Sequence, residues 1–107
     1  MKAIFLIFIF SHGLIHLLGF VKAFNLSKVE QLSQPISKPF GIAWLFASIF
    51  FIIMAVMITL EIRHWWLMGF LAVIHSQILI FYSWKDAKYG TVANIIILVV
   101  AIIELMS

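Results

Sequence analysis

The 107-residue sequence predicts an all-α protein, a single four-helix transmembrane bundle of up-down topology spanning residues 1–107. Three observations lead there. Hydrophobic residues make up 65% of the chain and charged residues 10%, against roughly 45–50% and 25% in soluble domains; mean hydropathy is +1.21. The apolar residues gather in four runs near the roughly 20 residues that a spanning helix requires. The runs do not alternate polar with apolar residues as barrel strands do, and in lipid a helix satisfies its own backbone. A chain this short cannot bury so much apolar surface in water. A soluble enzyme, a disulfide scaffold and a disordered regulator are excluded.

The first run predicts a helix over about residues 3–24. Its Met1-Lys2 opening is like that of a signal peptide, but the run outlasts an h-region and no small-residue cleavage site follows, so a retained helix is expected. The connection Asn25–Pro39 is the long one. Within it Ser27-Lys28-Val29-Glu30 fits a capping box. This predicts a short interfacial helix that buries Val29 and Leu32 and stops at Pro35, with an ordinary polar loop as the alternative. Pro39 suits the first turn of a second helix over 40–60. A third is expected over 65–84 and a fourth over 89–106, with Asp86 as its N-cap.

Charge sets the expected orientation. Lys22, Lys28, Lys38, Lys85 and Lys88 fall in the first and third connections, while only Lys2 and Arg63 fall on the other side. The positive-inside rule makes the first group cytoplasmic and both termini non-cytoplasmic. Trp65 and Trp66 then suit the outer aromatic belt; Trp44, Tyr82, Trp84 and Tyr89 suit the inner one. The positive charges form no run or basic face, so the net charge of +3 carries no nucleic-acid reading. The chain has no cysteine, which removes disulfides and thiolate chemistry.

Function is sought among polar residues inside the runs, where ionisable side chains are costly. His12, His75 and His16 lie about 15, 16 and 21 Å from the outer end at the helical rise of about 1.5 Å per residue. Helical periodicity puts Phe5, His12, His16, Gly19 and Ala23 on one face of the first helix. It groups Gly41, Trp44, Ser48, Ile52, Ala55 and Thr59 on the second, and His64, Met68, Leu71, His75 and Tyr82 on the third. Ala87, Gly90, Asn94, Leu98 and Ala101 share a face of the fourth. Ser76 and Gln77 fall off the His75 face.

Three classes of function remain open. First, helices one and three are diagonal in such a bundle, and haem b held by His75 and either His12 or His16 would fill the gap and support electron transfer. Arg63, His64 and Lys2 would then receive the propionates. His12 and His16, spaced i, i+4, could instead join His75 around zinc or copper, with Met54, Met57 and Met68 as soft ligands. Second, the histidines could bond Ser48, Asn94 or backbone carbonyls across the bundle. The chain would then be a homo-oligomer or an accessory or assembly subunit of a larger membrane complex. Third, a small transporter or proton relay could run through His16, His12 and His64, although Glu104 near the outer end is the lone acidic residue within a run. No catalytic triad, P-loop or carboxylate pair is present. The stretches His12-Gly13-Leu14-Ile15-His16-Leu17-Leu18-Gly19-Phe20 and Trp84–Asn94 together resemble a family of small uncharacterised bacterial four-helix inner-membrane proteins. That resemblance implies four helices and a bacterial inner membrane, and no activity.

Overall fold

The computed structural model describes residues 1–107 as five helices: α1 (Lys2–Ala23), α2 (Lys38–Thr59), α3 (Trp65–Tyr82), α4 (Trp84–Ala87) and α5 (Gly90–Met106). The body measures 42 × 22 × 22 Å. By length and composition α1, α2 and α3 can each cross a membrane; α5, at 17 residues, is apolar but shorter.

Each boundary has a local cause. α1 ends in a Schellman motif, with Asn25 at φ 54° and the amides of Asn25 and Leu26 returning to the carbonyls of Lys22 and Val21. α2 begins on Ser37, whose hydroxyl accepts from the Phe40 amide at 3.4 Å, and Pro39 occupies the first turn. It ends in a second Schellman motif, in which Glu61 takes φ 57° and the Glu61 and Ile62 amides reach Ile58 and Met57. The third apolar run breaks at Ser83 (φ −120°, ψ 36°), so Trp84–Ala87 forms a separate single turn instead of continuing α3.

The interfacial helix expected after Ser27 does not form; residues 24–37 are turns and coil. One turn of helix does not repay its nucleation, and other partners hold this segment. Glu30 pairs with Lys28 at 3.6 Å, and the Lys22 ammonium donates to the Leu32 carbonyl. Leu32 is nonetheless buried, as the sequence led one to expect.

α1 packs closely on α2, α2 on α3 and α3 on α5, whereas α1 and α5 meet at few points. The bundle is therefore open along its α1–α5 edge. Toward the α2–α3 turn the interior is filled by Ile9, Phe51, Met54, Ala72, Ile97 and Ala101. Trp65 joins them, 8% exposed and tilted against Phe5 at 5.9 Å, rather than standing in an aromatic belt. Trp44 is also drawn inside, 4% exposed, because Gly19 leaves a gap that a β-carbon would close against the indole. Tyr82, Trp84 and Tyr89 are exposed.

Candidate binding site

At mid-length the apolar filling gives way to a polar network joining α1, α3 and α5. His12 Nε2 lies 2.9 Å from Asn94 Oδ1. The Asn94 amide nitrogen donates to Ser76 Oγ and Gln77 Oε1, each at 3.0 Å. Ser76 Oγ lies 2.7 Å from His16 Nε2, and His16 Nδ1 lies 2.9 Å from the His12 carbonyl. Gln77 donates to Thr91 Oγ1 at 2.9 Å. His16, Ser76 and Asn94 are almost fully buried.

These contacts fix who donates to whom. A backbone carbonyl only accepts, so His16 carries its proton on Nδ1 and presents a bare Nε2 to the Ser76 hydroxyl. Ser76 therefore donates to His16 while accepting from Asn94. With its amide nitrogen spent on two acceptors, Asn94 offers its oxygen to His12, and His12 donates from Nε2. The two chain ion pairs lie elsewhere, and a charge at this depth without a counter-ion is costly. His12 is thus the neutral Nε2–H form, and its Nδ1 is an acceptor without a partner. Ser48 Oγ is the one side-chain polar atom both sealed and unpartnered. The His12 ring itself borders open space.

That space is a cavity of about 320 Å³ at the α1–α5 edge. His12 and His16 line its deep end with Trp44 and Ile80; Leu18 and Ala93 line its sides; Gln31, Leu32, Asp86 and Tyr89 surround its loop end. The residue 25–37 segment closes over it. The Asp86 carboxylate accepts from Ser33 Oγ at 2.6 Å and from the Ser33 and Gln34 amides, each at 2.9 Å. The Ser33 hydroxyl foremost holds the Asp86 carboxyl below its usual range; burial, next in size, opposes it, and the Gln34 and Ser33 amides and the Lys22 charge add to the lowering. Asp86 is therefore a clasp between two connections and not the N-cap of α5, which starts after Tyr89 without a side-chain cap.

The expected face of α3 is turned by about one residue, or about 100°. Gly69, Ala72, Val73, Ser76, Leu79 and Ile80 face inward, while Leu71 and Tyr82 are exposed. Small residues let α3 approach closely: a β-carbon on Gly69 would sit 3.4 Å from Ala101 and Met54. His75 consequently points away from the network. It is half-buried, bonds the Ala43 carbonyl from Nε2 at 2.8 Å and meets Phe50 edge-on at 5.2 Å.

The diagonal gap expected between α1 and α3 is instead bridged directly by the His16–Ser76 contact. His75 with His12 or His16 does not form an axial pair, and both His16 nitrogens are engaged. The residues do not fit a bis-histidine haem. Nor do His12, His16 and His75 form a three-ligand metal group; Met54 is buried in the apolar core, with Met57 and Met68 packed beside it. Arg63 and His64 are exposed at the α2–α3 turn, and Lys2 pairs with Glu61 at 3.6 Å. Ser48, expected to bond a histidine, bonds nothing.

Ser76 and Gln77 are the residues that the sequence reading missed. The spacing Gly69, Ala72, Ser76 was the available signal, since small residues three and four apart mark a helix-facing stripe. Comparisons with protein families, with curated proteins and with solved structures gave no match.

Proposed function

We propose that this chain is a four-span protein of the bacterial inner membrane that binds a small, largely apolar molecule through the open α1–α5 edge, beside its midplane histidines. α5, about 25 Å long at the helical rise, is the fourth span, at the short end of the spanning range. Both termini then face away from the cytoplasm, and the lysine-bearing connections joined by the Asp86 clasp lie inside. The observation that carries the reading is the cavity itself. Its volume is at the lower end of the range for small-molecule sites, and an apolar wall with a few convergent polar groups is the usual composition of such sites. The lack of close α1–α5 packing supplies a lateral entrance from lipid.

Equilibrium binding of naphthalene to the purified protein in detergent tests this reading, with partition into protein-free micelles subtracted. Saturable binding is expected, and Ala93→Trp, which fills the cavity from α5, should abolish it. Uptake no greater than micelle partition would refute the reading.

A further inference from the structure

The cavity has a chemical polarity that narrows what it takes. We propose that its ligand is an uncharged ring compound bearing a hydroxyl group, with the hydroxyl donating to His12 Nδ1; this rests on the binding reading above.

His12 is 6% exposed and is held rigidly. Its Nε2–H is committed to Asn94, and its ring is fixed edge-on between His16 at 4.7 Å and Phe51 at 4.8 Å. Its Cε1 edge lies on the α5 side of the ring: a β-carbon on Gly90 would sit 3.7 Å from it. The ring that carries this unpartnered nitrogen thus lines the deep end of an otherwise apolar space.

The other polar groups around the cavity are spoken for or distant. His16 uses both nitrogens. The Asp86 oxygens accept from Ser33 and Gln34, and Gln31 and Tyr89 stand at the loop end with it. A bare imidazole nitrogen accepts and does not donate. It repels the lone pairs of a carboxylate, carbonyl or ether, and it rewards a ligand O–H. An ammonium group would satisfy the nitrogen but would bring an unpaired charge to midplane depth. A neutral donor remains, and among neutral donors the phenolic hydroxyl, being more acidic than an amide or indole N–H, bonds an imidazole nitrogen the more strongly. The ring is argued from the walls: Trp44 offers an aromatic surface among Ile15, Leu18 and Ile80, and about 320 Å³ accommodates a fused two-ring compound but not a long-chain lipid.

The test compares 2-naphthol with 2-methoxynaphthalene, which keeps the ring and oxygen and lacks the donor. Affinities are measured on the intact protein and referred to each compound's own micelle partition. The expected result is about tenfold tighter binding of 2-naphthol, the worth of one well-placed hydrogen bond. His12→Leu should bring the ratio to about one, and the wild-type comparison stands alone if that variant does not fold. A second readout is the 15N resonance of His12 Nδ1, which 2-naphthol should shift and the ether should not. Equal affinity for naphthol and ether, with both bound saturably, would overturn the hydroxyl proposal and leave the binding site intact. Failure of both to bind would overturn the two together.

Discussion

Replacing Asn94 by leucine should destabilise the bundle more than any lipid-facing substitution. Asn94 is 2% exposed and makes three hydrogen bonds, to His12 at 2.9 Å and to Ser76 and Gln77 at 3.0 Å. It is the side chain through which α5 holds both α1 and α3. Leucine is close in size, so the change removes polarity with little change in volume. The His12 N–H then loses its sole partner, at a cost of about 1–3 kcal/mol for a buried unsatisfied donor. Counted as interhelical contacts in membrane proteins, which average about 0.6 kcal/mol, three bonds reach about 2 kcal/mol. The two routes agree on about 2 kcal/mol. Reversible unfolding in mixed micelles measures it, with the exposed Ile95→Leu as control. A loss under about 0.5 kcal/mol for Asn94→Leu would refute the hydrogen-bond network as described.

Two serines should behave in opposite ways. Ser76→Ala leaves the His16 nitrogen unpaired and should cost about 1–2 kcal/mol, whereas Ser48→Ala removes an orphaned hydroxyl and should be neutral or stabilising; unfolding curves with the order reversed would contradict this. Gly19→Ala drives a methyl into Trp44 and should cost about 1–3 kcal/mol, while Gly69→Ala, whose methyl meets only ordinary contacts, should stay within about 1 kcal/mol of the parent. Glu61→Gly relieves a left-handed backbone at φ 57°, worth about 1–2 kcal/mol, and loses an exposed 3.6 Å ion pair with Lys2 worth about 0–1 kcal/mol; a net rise in thermal midpoint is expected. Asp86 titrates below its usual value of 3.8 in the folded protein. Its clasp is therefore fully present above that value and is lost as pH falls through the lower folded one. Ser33 and Gln34 amide resonances should move together below pH 3.8 and stay flat above it.

The sequence was legible where a single periodicity dominated. On α1 the positions His12, His16, Gly19 and Ala23 share one face with no competitor, and the structure buries all of them. On α3 two stripes competed. The polar-looking one runs through His64, Met68, His75 and Tyr82, while packing follows the small residues Gly69, Ala72 and Ser76, because close approach governs association where lipid is as apolar as the side chains. Trp65 and Trp44 show the same limit: an aromatic near a helix end suits a belt, but a facing Gly19 or Phe5 decides otherwise. The Asp86 clasp joins residues 53 apart, and no local pattern encodes such a pairing. The direction of the His12–Asn94–Ser76–His16 chain needs all four partners in space before any one proton can be assigned.

That direction is central to the network, and 15N NMR of histidine-labelled wild-type protein in bilayers reads it without a ligand. The rings at His12 and His16 are assigned by single His→Gln variants. Opposite neutral tautomers are expected, with the proton on Nε2 of His12 and on Nδ1 of His16. The same tautomer at both, or a proton on Nδ1 of His12, would contradict it.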